Sequence, residues 1–178
     1  MNEPPQQVSA STSTSAPAPV EANWSFLLAH PAHSLALGFG SGLLRPAPGT
    51  WGTLAGWIAF VVLDGWLSLR GWLILLPLTF VLGAVCAQRT GTDLGRADHG
   101  AIVIDEIVAI WVVLLLLPST LFAQALGVLA FRVFDILKPP PIRAIDGRYK
   151  NGFGVMADDL VAAFYALLVA AVLVRLVR

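Results

Sequence analysis

Long apolar stretches, separated by short polar segments, make up most of the chain after residue 52. The four stretches are Thr53–Leu69, Gly71–Ala87, Ile107–Phe131 and Leu160–Val174, and the first is interrupted by Asp64 and Gly65. A helix needs about 20 residues to cross the hydrocarbon core of a bilayer. The first, second and fourth stretches are near that length, so the pattern predicts membrane helices there.

The third stretch is too long for one crossing, and it contains the turn-forming sequence Pro118-Ser119-Thr120. A single helix from Asp105 to Leu137 would be about 50 Å long, well beyond the thickness of a bilayer. Proline ends helices, and serine or threonine starts them. We therefore predict a hairpin of two helices, Ile102–Leu117 and Leu121–Leu137, which gives the chain about five helices.

The positions of basic residues in the loops agree with five helices. Lysine and arginine collect in the cytoplasmic loops of membrane proteins. With five helices the loops richest in these residues fall on one side of the membrane, whereas one kinked third helix would divide them between both sides. The residues concerned are Arg45, Arg89, Arg96, Lys138, Arg143, Arg148 and Lys150. Arg175 and Arg178 depart from this rule, but long basic side chains at a helix end can reach the interface.

The composition also favours a membrane protein. The 178 residues are 57% hydrophobic and 12% charged, with zero formal net charge and a mean hydropathy of +0.76. Soluble domains carry about 25% charged residues. We predict an all-α, polytopic membrane helical bundle formed as a single domain by residues 23–178, after a disordered tail of residues 1–22. The net charge gives no indication of nucleic-acid binding, and the sequence leaves the oligomeric state open.

Two pairs of adjacent acids stand at predicted helix starts on the same membrane face. Asp105 and Glu106 begin the third helix, and Asp158 and Asp159 begin the fifth. Two carboxylates about 5 Å apart repel by roughly 3 kcal/mol at an effective dielectric constant near 20, and a divalent cation removes that repulsion. Oxygen-only ligands suit Mg²⁺, so we predict a magnesium site. The alternative is that the acids cap their helices.

A basic cluster is predicted at the same face, at the end of the fourth helix. Arg132, Asp135 and Lys138 are spaced so that they share one side of that helix. We predict a phosphate clamp, in which Arg132 and Lys138 bind phosphate while Asp135 orients them or joins the metal ligands. The alternative is a local ladder of ion pairs.

Two glycine-rich segments supply candidate substrate-binding residues. Gly49 and Thr50, just before the first apolar stretch, could present backbone N–H groups to an anion. A flexible linker would have the same composition. Gly152 and Gly154, before the last acidic pair, would let the backbone approach a ligand closely.

One histidine is a candidate catalytic residue. His99 follows Asp98 in the sequence RADHGAIVIDE, between the second and third helices. A histidine there could act as the general acid that protonates the leaving oxygen of a phosphate ester. A histidine on a surface loop, with no catalytic role, is the alternative.

Four sequence blocks, in order, resemble the motifs of one protein family. They are GFGSG with PGTWGTLAG, DHGAIVIDEIVAIW, FRVFDILKPPPI and GFGVMADDLVAA, and they cover about residues 34–172. These blocks look like those of the phosphatidylglycerophosphatase A family. The resemblance implies a Mg²⁺-dependent phosphatase of the bacterial inner membrane, which converts the phospholipid phosphatidylglycerophosphate into phosphatidylglycerol. The loop charges would place its active site on the cytoplasmic side.

The resemblance also implies which positions are functional. The matching acids are Asp98, Asp105, Glu106, Asp135, Asp158 and Asp159, with Arg132, Lys138 and His99 beside them. The chain departs from the family pattern at Asn151, where the family tends to have glycine. Asparagine tolerates left-handed backbone conformations, so we expect the turn to be kept.

Two other functions fit the sequence less closely. A phosphatase for another lipid phosphate, such as phosphatidate, would carry the same motifs. An ion or solute carrier would use carboxylates in the middle of its helices, whereas the acids here are predicted at helix ends. For a phosphatase, the sequence favours direct attack by water over a phospho-enzyme, because it contains no Asp-x-Asp-x-Thr motif.

Overall fold

The computed structural model of the chain describes residues 20–177, apart from the side chains of residues 145 and 146. Every regular element in this range is a helix, which confirms the all-α prediction. The α-helices are α1 (Trp24–Ala29), α2 (Pro31–Ala36), α3 (Pro48–Asp64), α4 (Leu69–Asp93), α5 (Ile104–Leu116), α6 (Leu121–Leu137), α7 (Ile142–Arg148) and α8 (Gly152–Val177), and a 3-10 segment covers Gly38–Leu43. Residues 1–19, most of the predicted tail, lie outside the described residues.

The predicted break near Pro118 is present. Helix α5 ends at Leu116, and α6 begins at Leu121. Thr120 caps α6, because its side-chain oxygen accepts a hydrogen bond of 3.3 Å from the backbone N–H of Ala123. The two helices therefore form a hairpin, as the sequence predicts.

Three helix boundaries differ from the prediction. Helix α3 begins at Pro48, α4 extends to Asp93, and α8 begins at Gly152, eight residues before the start of its apolar stretch. The prediction followed hydrophobicity, whereas these additional turns are polar or rich in glycine. The additional turns of α3 and α8 are stabilised by proline in the first turn of α3 and by the Asn151 side chain before α8.

Helix α5 lies at the centre of the bundle, in contact with α3, α4, α6 and α8. Ten of its 13 residues are buried. The indole N–H of Trp111 on α5 donates a 2.8 Å hydrogen bond to the Gly56 carbonyl of α3. A Cβ at Gly56 would lie 3.0 Å from the Ile107 Cα, so glycine allows α3 to pack closely here.

Helix α8 packs through a stripe of small residues. Ala162, Ala166 and Ala170 have no exposed surface and belong to the main core. Their spacing in the sequence predicts a close helix approach of this kind. The stripe turns the acidic side of α8 towards the other helices.

Apolar side chains also cover the outside of the bundle. Those exposed on α3, α4, α6 and α8 include Ile58, Val62, Ile74, Val81, Leu129, Phe164 and Val172. Two helices, α4 with 25 residues and α8 with 26, are long and apolar enough to cross a membrane. Helices α3 and α6 have 17 residues each, and α5 has 13. The fold is thus consistent with a membrane bundle, and two of the five predicted crossings meet the length criterion.

The N-terminal helices α1 and α2 are fixed to the C-terminal end of α4. His33 of α2 places its Nε2 atom 2.9 Å from Asp93 Oδ2, and its Nδ1 atom 2.9 Å from the Phe26 carbonyl oxygen. The backbone N–H of Val103 donates a 2.9 Å hydrogen bond to the Ala36 carbonyl. These contacts hold α2 against α1, against the end of α4 and against the residue that precedes α5.

Candidate active site

Three buried carboxylates meet at one end of the bundle. Asp105 and Glu106 lie in the first turn of α5, and Asp159 comes from α8. One carboxylate oxygen from each lies within 4.8 Å of the others, and the residues are 9%, 9% and 3% exposed. Asp105 Oδ1, Glu106 Oε2 and Asp159 Oδ2 are buried with no hydrogen-bond partner among the described residues. Such oxygen atoms are costly to bury unless a ligand binds them.

The last acidic pair does not cap its helix. Asp158 and Asp159 lie two turns inside α8, which begins at Gly152. Asn151 is the cap, because its Oδ1 atom accepts a 2.8 Å hydrogen bond from the Gly154 N–H. The capping alternative is therefore wrong for this pair. For Asp105 and Glu106, the first-turn position also complements the helix dipole.

The predicted basic residues lie beside the acids, and each has an acidic partner. Arg132 Nη1 is hydrogen-bonded to Asp135 Oδ2 and lies 3.7 Å from Glu106 Oε1. Lys138 Nζ lies 2.6 Å from Asp158 Oδ2. The ion-pair ladder is thus only part of the arrangement, because Lys138 reaches across to α8. Asp135 and Asp158 are each paired with a cation, which distinguishes them from the three acids with unpaired oxygens.

Two further features characterise the cations. The Nε atom of Arg132 is buried without an acceptor in the described part of the chain, so the guanidinium has a donor left for a ligand. Lys138 ends α6 in the left-handed conformation, with φ at 42°. This conformation is uncommon for a residue other than glycine, and here it accompanies the contact with α8.

Gly49 brings the start of α3 into the same site. A Cβ at this position would lie 2.2 Å from Glu106 Oε1 and 3.0 Å from Arg132 Nη1. Only glycine allows this approach. Thr50 follows it in the first turn of α3 and is half-buried. The linker alternative is wrong here, since Gly49 and Thr50 are helical.

Gly152 and Gly154 lie in α8, but their backbone N–H groups are already used. The Gly152 N–H donates a 2.8 Å hydrogen bond to Gln88 Oε1, and the Gly154 N–H donates to Asn151. A Cβ at Gly152 would lie 2.0 Å from the Ala84 carbonyl oxygen. Both glycines therefore serve the packing and capping of α8.

His99 and Asp98 lie in the loop before α5. Asp98 is exposed. His99 lines a cavity of about 290 Å³, together with Arg45, Pro48 and other residues of the two adjoining segments. None of the three clustered carboxylates belongs to the lining of this cavity. The structure thus places His99 in a neighbouring compartment and not among the acids.

The hydrogen bonding and charges around His99 favour its neutral form. The backbone N–H of Ala101 lies 3.2 Å from His99 Nδ1. With Nδ1 as the acceptor, Nε2 carries the proton of the neutral ring. Burial lowers the pKa of His99, and the positive charges of Arg96 and Arg45 lower it further, against a smaller opposite effect of the Asp98 carboxylate. A neutral His99 is better suited to donating a hydrogen bond than to acting as a strong acid.

Two contributors to this region were missed by sequence reasoning. The sequence indicates Arg45 only as a loop charge, yet this residue lines the cavity with His99. Gln88 anchors the start of α8. The proximity of Arg45 to the PGTWG motif is the one local signal that could have indicated its role.

The fold and the site define a class of protein: an apolar helical bundle with acids and cations gathered at one end, an arrangement suited to a phosphate ester. Residues 34–174 match the family model described as phosphatidylglycerophosphatase A. The chain belongs to the phosphatidylglycerophosphatase A family. The resemblance seen in the four sequence blocks is thereby confirmed.

Individual relatives agree with this assignment. A phosphatidylglycerophosphatase A of Haemophilus influenzae is 51% identical over 143 residues, which cover 80% of this chain and 88% of the relative. A phosphatidylglycerophosphatase A of Escherichia coli K12 is 40% identical over 136 residues, with 76% and 78% covered. A Bacteroides thetaiotaomicron protein, named as a proposed phosphatidylinositol-3-phosphatase, is 34% identical over 141 residues, with 76% and 88% covered. No solved structure matches the chain significantly.

Proposed function

We propose that this protein is a lipid phosphatase that hydrolyses phosphatidylglycerophosphate to phosphatidylglycerol and inorganic phosphate. Membership of the family supports the reaction, and two relatives carry its name. The observation on which the proposal depends is the meeting of Asp105, Glu106 and Asp159 beside Arg132. Such a site can bind both a cation and the phosphate that the cation would accompany.

The three clustered acids fit a magnesium ion. Each supplies a buried oxygen atom with no other partner among the described residues, and carboxylate oxygens are the ligands that Mg²⁺ prefers. Without a cation, neighbouring carboxylates about 5 Å apart would repel by roughly 3 kcal/mol per pair. A bound Mg²⁺ would act as a Lewis acid towards the phosphate and would favour deprotonation of water.

The remaining charged residues orient the substrate. Arg132 is held by Asp135, and its remaining donors can bind phosphate oxygens in a planar, paired geometry. Lys138 is held by Asp158 and adds a point charge that offsets the negative charge of the phosphate. In this arrangement Asp135 and Asp158 position the cations and are not ligands of the ion.

We further propose that the bundle lies in the cytoplasmic membrane of a bacterium, with five crossings and with the site on the cytoplasmic side. The apolar exterior of α3, α4, α6 and α8 supports contact with lipid. Helices α3 and α6 are about 26 Å long and α5 is about 20 Å long. Because α5 is buried by its neighbours, its shorter length need not match the bilayer.

Phosphate release from phosphatidylglycerophosphate in detergent micelles, with Mg²⁺ or with EDTA, tests this proposal. We expect EDTA to abolish release. Asp159→Asn should lower kcat by on the order of 100-fold, because metal-ion catalysis is worth several kcal/mol, and should weaken the Mg²⁺ dependence. Asp64→Asn is a matched control, since Asp64 contacts Trp72 Nε1 at the other end of α3.

The outcomes distinguish a wrong substrate from a wrong metal site. If the wild-type protein with Mg²⁺ releases no phosphate from this lipid, the proposed substrate is wrong. If release continues in EDTA, and Asp159→Asn matches Asp64→Asn, the metal site is wrong while the phosphatase activity stands.

A second candidate is a phosphatase for another lipid phosphate. The relative named as a proposed phosphatidylinositol-3-phosphatase favours it, because a similar chain there carries a different substrate name. A panel of lipid phosphates that includes phosphatidate and phosphatidylinositol 3-phosphate decides between the two. A higher kcat/KM on one of these than on phosphatidylglycerophosphate would favour the second candidate.

A further inference from the structure

The cavity that contains Arg45 and His99 has the features of an anion site. Its volume is about 290 Å³, near the lower end of the range for ligand pockets. No acid lines it. Arg45 takes part in no ion pair or hydrogen bond among the described residues, and neutral His99 has a donor at Nε2. A cation and a neutral donor in one small cavity suit an anionic group.

The cavity adjoins the acid cluster. Pro48 forms part of its wall. The next residue, Gly49, is the one whose Cβ would contact Glu106 and Arg132. Adjacent residues of α3 therefore border the two compartments, and consecutive Cα atoms lie about 3.8 Å apart.

The cavity also lies next to exposed apolar side chains. Leu44, which precedes Arg45, is 43% exposed, and Phe39, in the 3-10 segment that contributes Gly42 and Leu43 to the cavity wall, is 76% exposed. Apolar residues at such a position can contact the boundary between headgroups and acyl chains. A group bound by Arg45 would then lie between the lipid chains and the acid cluster.

We propose that this cavity binds the phosphodiester of the lipid substrate while its terminal phosphomonoester occupies the acid cluster. The inference rests on the proposed function and adds the basis of substrate choice. In phosphatidylglycerophosphate a glycerol unit joins the two phosphates, and the phosphodiester is the one nearer the acyl chains. Arg45 forms a charge-assisted hydrogen bond to it, and His99 donates from Nε2. A lipid with a single phosphate, such as phosphatidate, can fill only one compartment.

Steady-state kinetics of Arg45→Gln test the inference. The substrate is phosphatidylglycerophosphate in uncharged detergent micelles with no other phospholipid. We expect the apparent KM to rise about tenfold, as for the loss of one hydrogen bond to a charged group, with a smaller change in kcat. The inhibition constant of inorganic phosphate, which lacks a phosphodiester, should stay within about twofold. Arg70→Gln, an exposed arginine at the start of α4, is the matched control.

Each result has a distinct meaning. An unchanged KM, or an equal loss of affinity for inorganic phosphate, overturns the inference. A second series adds an anionic phospholipid to the micelles. A rise in KM that appears only in that series also overturns the inference, since the cavity would then bind a bilayer lipid and not the substrate. Thermal unfolding of both variants shows whether the kinetics come from folded protein. Failure of the wild-type protein to release phosphate would instead refute the proposed function.

Discussion

At the scale of single residues, the site depends on the absence of a side chain as much as on the charges present. Gly49 allows the first turn of α3 to touch Glu106 and Arg132. No ionisable group marks this position in the sequence. Its importance follows only from the charged atoms that lie where a Cβ would stand.

Gly49→Ala should therefore lower activity with little change in overall fold. The new Cβ would lie 2.2 Å from Glu106 Oε1, so the carboxylate must move away from the cluster. A displacement of about 1 Å in a catalytic group can cost on the order of 100-fold in rate. We expect a loss of tenfold to 100-fold in kcat, measured by phosphate release.

Gly65→Ala is the matched control for this substitution. A Cβ at Gly65 would make an ordinary contact, 3.5 Å from the Val62 carbonyl oxygen. It should keep wild-type activity. Equal activity of the two variants would show that the site tolerates a displaced Glu106.

At the scale of elements, the position of α8 against α4 decides where two of the acids lie. The Gly152 N–H bonds to Gln88, and its missing Cβ leaves room for the Ala84 carbonyl. Asp158 and Asp159 follow two turns later on the same rigid helix. The packing of α8 at its start thus sets the geometry of the site.

Gly152→Ala should reduce both stability and activity. Its Cβ would lie 2.0 Å from the Ala84 carbonyl oxygen and 2.7 Å from the backbone nitrogen of Gln88, so α8 must move away from α4. Overpacking of this kind costs about 1–3 kcal/mol. The measurements are thermal unfolding in detergent and phosphate release.

Gly147→Ala provides the comparison, because a Cβ there meets nothing within 4 Å. Residue 147 lies in helix α7, where alanine favours the helix over glycine by roughly 1 kcal/mol. This variant should be as stable as the wild type or more stable. If Gly152→Ala behaved in the same way, the contact between α4 and α8 would not control the site.

At the scale of the whole molecule, the antiparallel order of the long helices brings the site together. The start of α3, the start of α5, the end of α6 and the first turns of α8 meet at one end. If α6 crosses the membrane, the turn at Ser119 and the segment at Arg148 lie on opposite sides.

Cysteine labelling tests this topology. In a Cys86→Ser background, which removes the single native cysteine, Ser119→Cys and Arg148→Cys should react with an impermeant maleimide from opposite faces of the membrane. Inverted and right-side-out vesicles allow each face to be tested. Labelling of both positions from the same face would exclude a crossing by α6.

Much of the fold could be predicted from the sequence, because its causes are local. The apolar stretches required helices, and Pro118 with Thr120 required a break between α5 and α6. The order of the helices then placed Asp105, Glu106, Asp158 and Asp159 towards one face. The family motifs are also contained in the sequence, and their assignment was confirmed.

Only the tertiary structure decided which acids pair with a cation and which do not. Three acids keep oxygen atoms that have no hydrogen-bond partner within residues 20–177, while Asp135 and Asp158 pair with Arg132 and Lys138. It also placed His99 with Arg45 in a separate cavity. Spacing along the chain sets which face of a helix a side chain occupies. Which partner the side chain meets depends on contacts between residues that are far apart in the sequence, such as Trp111 with Gly56. The local sequence pattern does not specify these contacts.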